Sequence, residues 1–172
     1  KMPRRAWRMN DVDPPPPTPS PRLGEHTGRI EHRVPSRPTA PNTAPELPLV
    51  GVRMLDLSAW WAGPVAAGMI AALGADVIHV ESTVRPDGMR MTGAMFGTDG
   101  PWWERSIHYL CANTNKRDLT LDLTSPEGLA LLEQLIAECD VILENFTPRV
   151  MSNFGLTWER IHELNPRCVL VR

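Results

Sequence analysis

From Leu49 onward the sequence alternates short apolar runs with helical stretches, and that alternation admits few folds. Val50 to Leu57 (Val-Gly-Val-Arg-Met-Leu-Asp-Leu) is a short run bounded by turn signals, so a buried strand is expected. A helix follows from Pro64, whose missing N–H costs nothing in a first turn, to about Leu73, where Gly74 supplies the stop. Its small side chains (Ala66, Ala67, Gly68, Ala71, Ala72) allow close packing on a sheet. Asp76 to Glu81 is the next strand, and strand, helix and strand within about 30 residues make a βαβ unit with a right-handed crossover. Leu119–Leu123, Val141–Leu143 and Cys168–Val171 add further strands, the last also expected to be buried. Ser125-Pro126-Glu127 opens a helix with an N-cap, a proline at its first position and an acid in its first turn; Leu129, Leu132, Leu135, Ile136 and Cys139 give it an apolar face. Thr157 caps another helix, holding Ile161 and Leu164. The expected class is α/β: a Rossmann-like parallel sheet with flanking helices. Because the sequence stops at Arg172 with a strand just begun, the sheet is expected to be incomplete, a fragment of a larger domain.

The region before Leu49 has a different character. Twelve of the 18 prolines fall in residues 1–50, where helix interiors and central strands are correspondingly disfavoured. Residues 13–21 (Asp-Pro-Pro-Pro-Pro-Thr-Pro-Ser-Pro) read as a polyproline II spacer, and residues 34–48 carry a proline every three or four positions. The division expected is therefore a Pro-rich, mostly disordered leader or linker over 1–48 and a folded unit over 49–172. Within the latter, residues 82–114 form a long irregular excursion with a short helix near Trp102 to Cys111; loops of that length are usually functional.

Several classes are disfavoured. The net charge of −2 divides into +3 over residues 1–50 and −5 beyond, which makes no general case for nucleic acid. No apolar run reaches the roughly 18 residues of a membrane span. The basic start (Lys1, Arg4, Arg5, Arg8) has no apolar stretch behind it and does not read as a secretory signal. Cys111, Cys139 and Cys168 lack metal-ligand spacing and leave one thiol over in any disulfide scheme, so a reducing, cytoplasmic compartment and no metal are expected.

In open α/β sheets, ligands bind beyond the carboxyl ends of the strands. Those ends hold Ser58, Ala59, Trp60, Trp61, Ala62 and Gly63; Glu81, Ser82, Arg85 and Arg90; and Glu144, Asn145, Phe146, Thr147, Pro148 and Arg149. The helix from Pro64 points its N-terminus at this edge, which favours an anion. Arg85, Arg90, Lys116, Arg117 and Arg149 are candidate counter-charges for phosphates, and Trp60 and Trp61 could cover a flat ring. Against this, paired tryptophans at a strand end more often pack than bind, and single arginines are mostly solvated. His79 reads as a core residue, and Asp56 and Asp122 as residues that bond turns. There is no Gly-x-Gly-x-x-Gly, no Walker loop and no Ser–His–Asp set.

Val52 to Val171 resembles the family III coenzyme A transferases, which include formyl-CoA and carnitine-CoA transferases and α-methylacyl-CoA racemase. The resemblance rests on Leu55-Asp56-Leu57-Ser58 before Ala62-Gly63-Pro64, on Leu73-Gly74-Ala75-Asp76-Val77-Ile78 ending at Val80-Glu81, and on Asn115-Lys116-Arg117 with Leu121-Asp122-Leu123. Ser125-Pro126-Glu127-Gly128, Asp140-Val141 with Glu144-Asn145-Phe146, and Gly155-Leu156-Thr157 leading to Asn165-Pro166-Arg167 continue it in order. It implies a CoA site in which Trp60, Trp61 and Ala62 meet the adenine end, Leu121 and Thr124 contribute beside them, and Asn145 and Phe146 line the pantetheine channel. Ser82 and Asn153 stand where the family often has basic residues, so Arg85, Arg90 or Arg149 would take over phosphate contacts.

The implied activity moves CoA between an acyl-CoA and a carboxylate acceptor through an aspartate nucleophile, an anhydride and an aspartyl thioester. That aspartate is expected beyond Arg172, so no catalytic residue is assigned and the fragment alone is expected to be inactive. The family also allows a racemase or epimerase. A third reading is a non-catalytic CoA-binding or dimerisation half of a tandem fusion, because Pro21-Arg22-Leu23-Gly24-Glu25-His26-Thr27 resembles a segment near the family's C-terminus. The implied partners are an acyl-CoA, a carboxylate and a second copy in an interlocked homodimer, with no membrane or nucleic acid.

Overall fold

A computed structural model describes residues 16–32, 47–93 and 100–172. Five parallel strands form one sheet in the order β3-β2-β1-β4-β5. They are β1 (Arg53–Asp56), β2 (Asp76–Glu81), β3 (Arg117–Thr120), β4 (Val141–Leu143) and β5 (Val169–Val171). The α/β class expected from the alternation is the class observed. The second strand has the expected bounds, and the helix expected from Pro64 is α1 (Ala62–Ala72), starting two residues earlier.

Side-chain alternation sorts the core onto the two faces of the sheet. On one face Met54, Val77 and Leu143 pack with Ala67 and Ala71 of α1, whose small side chains bring the helix close. On the other, Leu55, Ile78, Leu119 and Ile142 pack with Leu132 and Ile136 of α3 (Pro126–Glu138) and Ile161 of α5 (Trp158–Leu164). The caps of α3 and α5 are as expected: Ser125 Oγ accepts from Gly128 N at 3.0 Å and Thr157 Oγ1 from Arg160 N at 3.3 Å.

Two expectations need correction, and one helix is added. The third strand in sequence ends at Thr120 instead of Leu123, because Asp122 Oδ1 turns the chain by accepting from Thr124 N (2.9 Å) and Thr124 Oγ1 (2.6 Å). The last strand pairs on one side only among the described residues, and Val169 and Val171 are 56% and 42% exposed while Cys168 before them is buried. A short helix, α4 (Arg149–Asn153), follows β4 and was not foreseen. The excursion over 82–114 holds two 3-10 turns (Gly88–Met91 and Trp102–Arg105) and α2 (Ile107–Ala112).

The leader does not lie apart from the fold. Residues 16–32 run as a strap along β3. Gly24 N donates to the Asp118 carboxylate and Leu23 N to Glu104 Oε1 at 3.1 Å. His26 N donates to Asp118 O at 2.8 Å, and Asp118 N and Thr120 N return bonds to His26 Nδ1 (3.1 Å) and Thr27 Oγ1 (3.0 Å). Further on, Arg53 Nη1 donates to Glu31 O at 3.0 Å, and His32 reaches Glu138. A cavity of about 370 Å³ lies between strap and α3, lined by Ile30, Leu119, Leu121, Leu131 and Leu135. Residues 1–15 and 33–46, with the start of the first polyproline-like stretch and most of the second, lie outside the described residues.

Gly24 has φ +67, and a Cβ there would lie 3.1 Å from the Thr120 side chain. Gly24→Ala is expected to cost about 1–2 kcal/mol through its left-handed backbone and to speed exchange of the His26 amide; denaturant unfolding and hydrogen exchange measure the two effects.

Candidate functional site

Parallel register places Asp56, His79 and Asp118 side by side on the α1 face of β1, β2 and β3, with Glu81 two residues beyond His79. All four are buried. Lys116 Nζ, also buried, donates to Asp56 Oδ2 and Asn113 Oδ1, each at 2.7 Å. Asp56 also accepts from Ser58 N at 3.1 Å and from Ser58 Oγ, and lies 3.3 Å from His79 Nδ1. Burial alone would raise its pKa; Lys116 and His79 outweigh burial and hold it well below the usual carboxylate range. Asp56 thus does more than bond a turn. Ser58 donates to the carboxylate and not to the imidazole, so this set lacks the base-on-hydroxyl contact that an activated serine requires.

Arg90 is the largest fully buried side chain. Its Nη2 donates to Glu81 Oε1 at 2.7 Å, its Nη1 to Glu104 Oε2 at 2.9 Å, and its Cζ lies 3.6 Å from the centre of the Tyr109 ring. Tyr109 Oη lies 2.8 Å from Glu81 Oε1 and 3.0 Å from Asp118 Oδ2. The one phenol proton is shared between two carboxylates that also accept from Arg90. Burial first, and Glu81 second, push the Asp118 carboxyl up to about 7. Burial would raise Glu81 too, but the Arg90 bonds win and bring it down to about 2. His79, Glu81 and Asp118 each offer a ligand atom within 4.8 Å of the others, a set with metal-ligand chemistry. The Arg90 guanidinium sits on both of its carboxylates and supplies the cation there.

The expected ring-binding residues gather at the carboxyl edge of the sheet. Asn145, after β4, clasps the loop after β1: its Oδ1 accepts from Ala59 N at 3.0 Å and its Nδ2 donates to Ala59 O at 2.7 Å. Asp87, after β2, accepts from Trp60 N at 3.0 Å. Loops from three strands therefore converge on Trp60, which is 55% exposed with φ +68. Trp61 is 51% exposed, and its ring centre lies 5.2 Å from that of His108. Ala62 is exposed at the first position of α1.

The remaining candidates divide. Arg85 is exposed, in a turn where Ser82 Oγ accepts from Val84 N at 3.2 Å; Arg149 is exposed at the start of α4. Arg90 and Lys116, expected at phosphates, have their charges inside, neutralised by carboxylates, and Arg117 pairs with Asp76. Leu121 is buried in the core, Thr124 is exposed and folds back on Asp122, and Phe146 is half-buried against the α3-side core. Asp87 and Gly88 were missed; the Pro86-Asp87-Gly88 turn was the available signal. All three cysteines are free, with Cys139 and Cys168 Sγ 3.8 Å apart in the core.

Residues 49–172 match CoA-transferase family III, and the chain belongs to that family. It is 39% identical over 129 residues to succinyl-CoA–D-citramalate CoA-transferase of Chloroflexus aurantiacus, covering 74% of this chain and 31% of that protein. It is 42% identical over 122 residues to formyl-CoA:oxalate CoA-transferase of Rhodopseudomonas palustris, covering 71% and 28%. The crystal structure of a CAIB/BAIF family protein from Brucella suis superposes with a TM-score of 0.63 at 33% identity, over 73% of this chain and 33% of that one. The chain thus spans about a third of the length of these relatives.

The Asp118 proton fixes the sign of a pH effect. Asp118 is raised above its ordinary 3.8, so the stability it lends is full below that value and is lost as pH rises through about 7. Asp118→Asn, which keeps a neutral side chain at every pH, is expected to flatten this loss; thermal unfolding of both proteins across that range measures it.

Proposed function

We propose that residues 49–172 build the CoA-binding part of a family III transferase that moves CoA from an acyl-CoA to a carboxylate acceptor. The observation that carries this reading is the convergence of three strand-end loops on the exposed Trp60, next to the exposed Trp61, within a family III sequence. A purine ring stacks on an exposed indole, and of the candidate cations Arg85 and Arg149 are the two exposed at the surface to meet CoA phosphates. Asn145, by fixing the Ala59 peptide, keeps the tryptophan loop beside the channel we assign to the pantetheine arm near Phe146. Leu121 shapes the core beneath the edge and Thr124 offers a hydroxyl at its rim.

CoA is a substrate in this reading and not a resident cofactor. The two named relatives are transferases of succinyl-CoA and formyl-CoA, which favours transfer over racemisation. We place the aspartate nucleophile outside residues 1–172 and the enzyme in a reducing, cytoplasmic setting. No helix of the described residues is long and apolar enough to cross a membrane. The docked strap is, in the same proposal, the tail of one family copy seated against the start of the next.

Calorimetric titration tests the site. CoA is expected to bind the chain more tightly than phosphopantetheine, which lacks the purine. Changing Arg85 and Arg149 together to Ala is expected to weaken CoA binding by about tenfold or more, the scale of charge-assisted hydrogen bonds. Equal affinity for both ligands, or unchanged affinity in the double variant, would count against the reading.

A further inference from the structure

Trp60 is held against its own backbone preference. A bulky residue at φ +68 is a steric outlier, and such strain persists only where the surroundings impose it. A tryptophan that served packing would be buried; this one is more than half exposed.

Two adjacent residues impose the conformation. The Asp87 carboxylate is 4% exposed, and its Oδ1 accepts from Trp60 N at 3.0 Å and from Met89 N at 2.9 Å. That one oxygen ties the strained peptide to the 3-10 turn beginning at Gly88. Asp87 N in turn donates to Glu81 Oε2 at 2.7 Å, so the tie is anchored in β2. Gly88 supplies the space. A Cβ added there would fall 2.6 Å from Cη2 and 2.8 Å from Cε2 of the indole, so the ring lies where any other residue would put its side chain. The backbone of Gly88 is not in the left-handed region, so glycine is needed at this position for room and not for conformation.

We propose that Asp87 and Gly88 are positioning residues that fix the Trp60 indole, before ligand arrives, as a platform for the purine ring of CoA. The inference rests on the reading of Trp60 as a CoA contact. A ring already immobilised loses less freedom on binding, and that saving appears as affinity. Asp87 acts through its acceptor oxygen and not its charge. Burial pushes its carboxyl pKa up, and Oδ2 has no hydrogen-bond partner among the described residues, so an amide of the same shape fits the site.

The experiment is calorimetric titration of CoA into the full-length chain and its variants, with thermal unfolding to confirm folding. Trp60→Ala is expected to weaken binding about tenfold, the scale of one base-on-aromatic stack. Gly88→Ala is expected to match that loss, and adding Gly88→Ala to Trp60→Ala is expected to change nothing further. Asp87→Ala should fall with Gly88→Ala, while Asp87→Asn keeps the wild-type affinity. If Gly88→Ala fails to fold, the Asp87 pair carries the same comparison. Wild-type affinity in both Gly88→Ala and Asp87→Ala, with Trp60→Ala weakened, overturns the positioning role and leaves the CoA site standing. Equal losses from Gly88→Ala with and without Trp60 also overturn it, since the effect would not pass through the ring. Wild-type affinity in Trp60→Ala removes both the positioning role and the tryptophan contact it serves.

Discussion

A guanidinium with no exposed surface must find its counter-charges inside, and Arg90 does so from three directions. Glu81 comes from β2, Asp118 from β3 and Glu104 from the turn before α2, with the Tyr109 ring beneath. Losing one member of such a buried group typically costs about 3–5 kcal/mol, because the remaining charges are stranded. The group is therefore a constraint on geometry: the excursion after β2 can close over the sheet only where all the partners meet. That closure sets Asp87, three residues before Arg90 and bonded to Glu81 through its own amide, beside the loop after β1.

The same group reaches the strap. Asp118 bonds Gly24 through one carboxylate oxygen and Tyr109 through the other, and Glu104 accepts from Leu23 as well as from Arg90. A segment that composition assigns to a leader is thereby wired to the charges beneath the ligand edge. Burial and the neighbouring Glu81 push the Asp118 carboxyl up to about 7, so its ionisation near neutrality bears on the strap and on the buried group together.

Much of the fold was legible because it follows from local rules. The Ser125 and Thr157 caps, the stop at Gly74 and the β-branched runs of β2 and β4 each state their element within a few residues. The site was legible in outline, since tryptophans and Asn145 lie at strand ends where ligands bind. Arg90 and Lys116 were not, because nothing near them in sequence marks them as internal. Their partners are Asp56, Glu81 and Asp118, brought together only by the register of three strands that are distant in sequence. The strap was hidden for the opposite reason: flanking prolines dominate the local pattern, while its bonds go to β3, some 90 residues later.

The bonds between strap and β3 also finish that border of the sheet. The outward amides of Asp118 and Thr120 are those a foreign strand would use, and His26 and Thr27 already occupy them. The few residues of the strap act as a selvedge along that border of the sheet.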